Sequence, residues 1–269
     1  MKVLSAPIIA IIVIIVAFAG ITVYSGIFPP ASVVESGSMQ HSNNWQFGVI
    51  NTGDIVLVKK IDNPQKNIVT YVEGRQTGFS TYGDYGNVIL YNAPHNLVVI
   101  HRAMFYLSWN NGEPVVAGAN NQSWITVNQS YVLIKDVGYE HRNLVVYLGG
   151  YTNESGFITM GDHNLATAPT SSYYYNSTLN AYKAADENVG IIGHPVTPSD
   201  IVGEAQGQIP WFGLIKLNIM RIQGKWQYPN DVPNYSYDYL VAAIFTIMVL
   251  ILFPYSDFIK KSQRKNNKK

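Results

Sequence analysis

None of the 269 residues is cysteine, which excludes disulfides, thiolate catalysis and Cys-ligated zinc or iron–sulfur centres. Charge is scarce as well. Only 13% of residues are Asp, Glu, Lys or Arg, against about 25% in ordinary soluble domains. The net charge of +1 gives no electrostatic footprint for nucleic acid, which is not expected as a partner. No glycine-rich phosphate loop is present. His95, His141 and His194 lack metal-ligand spacing, so neither a metal nor a cofactor is expected. What the chain does have is 47% hydrophobic residues, 19 tyrosines and five Asn-x-Ser/Thr sequons, at Asn121, Asn128, Asn153, Asn176 and Asn234. The sequons favour an outside location for the middle of the chain.

Between Lys2 and Glu35 no residue is charged, and residues 6–28 are almost continuously apolar. As a helix these 23 residues would extend about 34 Å, enough for a hydrocarbon core of about 30 Å. Pro29-Pro30 then ends the helix. Ala17-Phe18-Ala19 has the form of a leader-processing site, but the apolar run exceeds the roughly 7–15 residues of a cleaved leader. Residues 1–30 are therefore expected to be a cytoplasmic end and transmembrane anchor. Near the other end residues 239–256 are uncharged and precede Lys260, Lys261, Arg264, Lys265, Lys268 and Lys269. By the positive-inside rule this predicts a second transmembrane helix over 239–256, reached through a linker at 226–238, and a basic cytoplasmic tail at 257–269. Tyr235, Tyr237 and Tyr239 would form an aromatic belt beside it.

The intervening residues 31–225 read as a β-rich extracytoplasmic domain. Strands are expected at Asp54-Ile55-Val56-Leu57-Val58-Lys59, Asn87-Val88-Ile89-Leu90-Tyr91, Leu97-Val98-Val99-Ile100, Tyr131-Val132-Leu133-Ile134, Leu144-Val145-Val146-Tyr147-Leu148 and Phe157-Ile158-Thr159-Met160. Gly53-Asp54, Gly83-Asp84, Asn111-Gly112 and Gly149-Gly150 separate them as turns. No long amphipathic helix shows in this region, and residues 74–86 and 168–182 read as loops or insertions. The expected fold is mainly β, a coiled antiparallel sheet or partial barrel.

Chemistry concentrates around Val33-Val34-Glu35-Ser36-Gly37-Ser38-Met39-Gln40, where Ser38 would sit just past the anchor. A serine hydroxyl needs a base to remove its proton. His101, at the end of a strand and followed by Arg102, is the best placed candidate. A carboxylate is then needed to fix the imidazole tautomer. Asp162, in Gly161-Asp162-His163-Asn164, and Asp186, in Ala185-Asp186-Glu187-Asn188, both qualify.

In order, Ser36-Gly37-Ser38-Met39, Thr52-Gly53-Asp54-Ile55-Val56, Ile100-His101-Arg102, Met160-Gly161-Asp162-His163-Asn164, Ile201-Val202-Gly203-Glu204-Ala205 and Ile209-Pro210-Trp211-Phe212-Gly213 resemble the boxes of type I signal peptidases. The similarity is to the archaeal and endoplasmic-reticulum branch, which uses histidine as base, and it covers about residues 33–217 plus the anchor. It implies a β-rich catalytic domain of signal-peptidase type, with Ser38 as nucleophile and His101 as general base. It also implies two oxyanion donors, the Ser38 backbone N–H and the Ser36 hydroxyl. Departures are Gln40-His41 where the family has Glu-Pro, His163 for Asn, and Ala168 where the second family aspartate belongs. An insertion at 165–185 would let Asp186-Glu187-Asn188 supply the missing motif, with Asp186 orienting His101 and Asp162 supporting. The exchange of those two roles stays open.

These readings predict a membrane-bound serine endopeptidase that removes signal peptides from exported preproteins. It would lie in the plasma membrane with both termini cytoplasmic, and its partners would be preprotein signal peptides, the lipid bilayer and the secretion translocon. Two other functions fit the composition. One is a non-enzymatic, membrane-anchored surface glycoprotein, and the other is a related membrane protease that matures surface proteins.

Overall fold

A computed structural model describes the backbone of residues 5–252 and the side chains of residues 8–9 and 11–252. The chain begins with α1 (Ser5–Ser25) and β1 (Ala31–Val33), then β2 (Ile55–Lys59) and two short helices, α2 (Pro64–Asn67) and α3 (Tyr71–Thr77). A small hairpin of β3 (Ser80–Thr81) and β4 (Asp84–Tyr85) leads into β5 (Val88–Ala93), the long β6 (Leu97–Asn110) and β7 (Glu113–Val116). Next come β8 (Ile125–Val127), β9 (Tyr131–Val137), β10 (Arg142–Tyr147), β11 (Gly156–Met160) and α4 (Asp162–Thr167). The last part holds β12 (Tyr175–Asn176), β13 (Ala181–Tyr182), α5 (Asp186–Val189), β14 (Ile201–Ile209), α6 (Gly213–Ile222) and α7 (Ser236–Leu252).

The principal sheet has seven strands in the order β1-β2-β14-β5-β6-β11, with β7 also on β6. All its pairings are antiparallel. A second sheet, β12-β13-β10-β9-β8, contains one parallel pair, β10 with β13. The β-branched and aromatic run of β6 makes it the spine: Ala103, Met104, Phe105 and Leu107 are wholly buried. Between the sheets Met104, Phe105, Ile134, Leu144, Val146, Ile158 and Leu165 share one core. Burying each such large side chain contributes about 1.5–3 kcal/mol.

β6 is paired with β5 over residues 97–102 on one edge and with β11 over residues 102–107 on the other. Among the described residues the second edge of residues 97–101 is therefore open. β1 ends the sheet, so its outer edge is open too. Although three strands separate β1 from β6 in sheet order, both border one cleft, because the twisted sheet curls round.

The structure corrects the expected fold class. Helix and strand contents are nearly equal, 29% and 30%, so the fold is mixed α/β with several sheets rather than mainly β. α1, α6 and α7, of 21, 10 and 17 residues, supply most of the helix. The expected membrane spans are corrected as well. α7 extends about 26 Å at 1.5 Å per residue, short of a hydrocarbon core of about 30 Å. Among the described residues no helix is long and apolar enough to cross a membrane. A plasma-membrane protein with transmembrane helices and both termini cytoplasmic is accordingly not supported. The basic tail at 257–269 lies outside the described residues.

Two smaller corrections concern the middle of the chain. Within the expected loop at 74–86 the structure has the end of α3, started by a capping box between Thr70 and Glu73, and the β3–β4 hairpin. α6 is a helix where none was expected. Leu214 and Leu217 are buried on it, but Ile215, Ile219 and Ile222 are exposed beside Lys216 and Arg221, so its exposed side is broken by apolar residues and blurs its period.

Candidate active site

Ser38 lies in a turn closed by the Gln40 N–H donating to the Gly37 carbonyl. Met39 anchors that turn, 2% exposed in a core with Val34, Ile50, Val56 and Leu90. Gln40 is also buried, and its Oε1 accepts the Thr52 N–H at 2.9 Å, tying the turn to the Thr52-Gly53-Asp54 loop. The Ser38 carbonyl accepts the His163 N–H at 2.9 Å. Buried anchors thus hold the backbone on two sides of the hydroxyl.

His101 lies within β6 rather than at its end, because the strand continues to Asn110. Its neighbour Arg102 points to the opposite face, as successive strand residues do. On the cleft side, His101 Nε2 is 2.9 Å from Ser38 Oγ and Nδ1 is 2.7 Å from Asp186 Oδ2. Asp186 opens α5 and is fully buried. The same Oδ2 accepts the Tyr91 hydroxyl at 2.8 Å. Burial, then the charge of Asp186, push the Tyr91 hydroxyl well above its ordinary range, so it remains a donor.

On the other face, Arg102 Nε and Nη2 donate to Asp162 Oδ1 and Oδ2 at 2.8 and 2.6 Å. Arg102 Nη1 reaches the backbone carbonyls of Thr81, Asp84, Tyr85 and Gly86. The guanidinium is thus buried but fully paired, with the Asp162 charge holding its proton against the cost of burial. His41 Nε2 is 3.0 Å from Asp162 Oδ2, and its ring stacks on Tyr139. Burial alone would raise the Asp162 carboxyl, but the Arg102 guanidinium and His41 override it and hold it at about 2. His163 Nδ1 lies 2.9 Å from the Tyr139 hydroxyl.

The structure therefore brings Ser38, His101 and Asp186 into one line and places Asp162 in a separate ion pair behind them. Ser36 and Ser38 border the same cleft of about 1030 Å³, together with Glu35, His101 and Asp231. Asp231 Oδ2 accepts the Gly37 N–H at 2.9 Å, from the segment that precedes α7. Among the described residues no cluster of three or more His, Asp or Glu side chains could hold a metal ion.

Sequence reasoning missed Tyr91, Thr159, Glu187 and Asp231. Tyr91 and Thr159 look like ordinary strand residues, and Asp231 lies in a stretch read as linker. Glu187 had a signal, its place beside Asp186, which puts two acids next to each other in the chain. No protein-family model matches the chain, and no curated protein matches it.

Proposed function

We propose that the protein is a serine endopeptidase that removes signal peptides from preproteins. The observation that carries this reading is the hydrogen-bonded line from Ser38 Oγ through His101 to Asp186, at 2.9 and 2.7 Å, opening onto the cleft. His101 Nε2 takes the hydroxyl proton as Ser38 Oγ attacks the peptide carbonyl, and Asp186 balances the imidazolium that forms. The Ser38 N–H and the Ser36 hydroxyl would bind the oxyanion. His101 then gives its proton to the leaving amine, and water hydrolyses the acyl-enzyme.

A polypeptide substrate is supported by the cleft walls. The open edges of β1 and of residues 97–101 each present unpaired backbone groups to an extended chain, the usual mode of strand addition. Leu97 and Val98 on that edge are exposed apolar side chains. The order of the sequence boxes, from Ser36-Gly37-Ser38-Met39 to Ile209-Pro210-Trp211-Phe212-Gly213, supports signal peptides as the particular substrate. Purified wild type and Ser38→Ala are to be incubated with a preprotein carrying small residues before the cleaved bond. Cleavage is expected from wild type alone, and equal rates from both proteins would overturn the proposal.

A further inference from the structure

Behind the Ser38–His101–Asp186 line lies a second set of polar groups to which the reaction above gives no part. Thr159 Oγ1 is 3.3 Å from the Tyr91 hydroxyl oxygen and 3.3 Å from Glu187 Oε1. The Thr159 N–H donates to the Glu187 carboxyl oxygens at 3.1 and 3.3 Å. Tyr91 and Thr159 are 0% exposed and Glu187 5%, so these groups are shielded from bulk solvent. Three elements converge here, β5 through Tyr91, β11 through Thr159 and α5 through Asp186 and Glu187.

Proton counting allows one continuous direction for these bonds when Glu187 is protonated. Each hydroxyl has one proton to give. The Tyr91 proton goes to Asp186 Oδ2, a charged acceptor at 2.8 Å. The Tyr91 oxygen can then only accept, and the donor in reach is Thr159 Oγ1. Having given its proton to Tyr91, Thr159 Oγ1 is free to accept, and its remaining neighbour, Glu187 Oε1 at 3.3 Å, would have to be the donor. A carboxyl group donates only when protonated. One Glu187 oxygen would then carry the proton toward Thr159 Oγ1 while the other accepts the Thr159 N–H. Burial, then the Asp186 charge beside it, push the Glu187 carboxyl well above its ordinary range, consistent with that polarity.

We propose that Glu187 is a positioning residue: a neutral carboxylic acid that starts a one-way chain of hydrogen bonds, Glu187 to Thr159 to Tyr91 to Asp186, and so sets how much of the Asp186 charge is left for His101. This rests on the reading of Ser38, His101 and Asp186 as hydrolase residues. The groups facing the chain are His101 from β6, Tyr91 from β5, Asp186 on α5, and Tyr151, whose hydroxyl donates to the Glu187 carbonyl. None of them is a cation that would hold Glu187 ionised.

The test compares Glu187→Gln, Thr159→Val and Tyr91→Phe with wild type. The Gln amide can still donate to Thr159 Oγ1 and accept the Thr159 N–H, so Glu187→Gln is expected to keep kcat within about twofold. Tyr91→Phe removes one donor from Asp186 and is expected to lower kcat about tenfold with KM unchanged. It should also move the acid limb of the kcat profile upward by about half a pH unit or more, since the freed carboxylate favours the imidazolium. Thr159→Val should shift it the same way by less. The low-field Nδ1–H proton resonance of His101, read in the Ser38→Ala background, should move in Tyr91→Phe and stay put in Glu187→Gln. That spectrum needs no peptidase activity, so an inactive wild type, which would sink the proposed function, is told apart from a failure of the hydrogen-bond chain. If Thr159→Val does not fold, the other two variants decide. A hundredfold loss in Glu187→Gln, or an unmoved resonance in Tyr91→Phe, would overturn the chain.

Discussion

Ser38 Oγ stands 2.9 Å from His101 Nε2, across 63 residues of chain, and the other imidazole nitrogen is held at 2.7 Å by Asp186. The donor on Nδ1 fixes which nitrogen faces the serine, since an imidazole whose Nδ1–H points at a carboxylate presents a bare Nε2. Asp186→Asn removes that control while the amide oxygen can still accept from Tyr91. The variant should fold normally and lose about 10⁴ in kcat. Asp162→Asn, which has no contact with the imidazole, should act mainly through stability. Paired kcat and urea-denaturation measurements separate the two, and the reverse pattern would exchange their roles.

Gly161 makes the site sterically possible. A Cβ there would lie 2.7 Å from the Ser38 carbonyl oxygen, 2.8 Å from Asn164 Nδ2 and 2.9 Å from His101 Nε2. The carbonyl is backbone fixed by the His163 N–H, so the imidazole is the group that can give way. Gly161→Ala is expected to lower kcat about 10²-fold by moving Nε2 off Ser38, at a cost of about 1–3 kcal/mol in stability. Thermal denaturation beside kcat checks both figures.

Much of the strand pattern was legible because β2, β5, β9, β10 and β11 are dense in β-branched residues. β6 runs on past the expected strand of residues 97–100 to Asn110 and carries Arg102 inside it. The partners that pair a buried guanidinium there, Asp162 and the carbonyls of Thr81, Asp84, Tyr85 and Gly86, are all tertiary and carry no mark in the local sequence. α6 hid for the opposite reason, since Ile215, Ile219 and Ile222 lie on its exposed side among Lys216 and Arg221. Ser38, His101 and Asp162 stood in recognisable boxes, while Asp186 was reached only by supposing an insertion at 165–185. The groups around them did not, because a buried Tyr91 or Thr159 looks the same in sequence whether or not its hydroxyl has chemistry behind it.

Asp162 should make the fold acid-sensitive. Its carboxyl is held at about 2, against an ordinary 3.8, by Arg102 and His41 acting against burial. A folded-state value below the unfolded one means that the contribution is complete above about pH 4 and is lost as pH falls toward 2. The shift corresponds to about 2 kcal/mol. Urea midpoints should therefore fall between pH 4 and pH 2. In Asp162→Asn, where Arg102 is left unpaired, stability should already be down by about 3–5 kcal/mol at pH 7.

Asp54 should act with the opposite sign. Burial raises its carboxyl to about 6, although Trp211, Asn51 and Trp45 donate to it. The folded state then binds a proton that the unfolded chain releases near pH 4. Stability from this group is complete below about pH 4 and declines by about 3 kcal/mol as pH rises through 6. Asp54→Asn, which cannot ionise, should flatten that decline. Denaturation curves at pH 4, 5, 6 and 7 check it, and an unchanged slope would argue that the decline arises elsewhere.

Asp231 reaches the nucleophile turn from the far end of the chain. Its Oδ2 accepts the Gly37 N–H at 2.9 Å, while Trp226 Nε1 donates to the Glu35 carbonyl and the Asn234 N–H to the Asn43 carbonyl, each at 2.8 Å. These contacts clamp residues 35–43 between the core and the stretch leading to α7. The peptide plane before Gly37 is thereby fixed immediately ahead of the Ser38 N–H, a proposed oxyanion donor. Without the carboxylate that plane is free to rotate, and the donor loses aim without leaving the site. Asp231→Ala should therefore lower kcat about tenfold and barely alter KM, the signature of an interaction made in the transition state. Asp231→Asn, whose amide oxygen can still accept the Gly37 N–H, should recover most of the rate. Steady-state kinetics on the two variants settle it, since a rise in KM with kcat unchanged would make Asp231 a substrate contact instead.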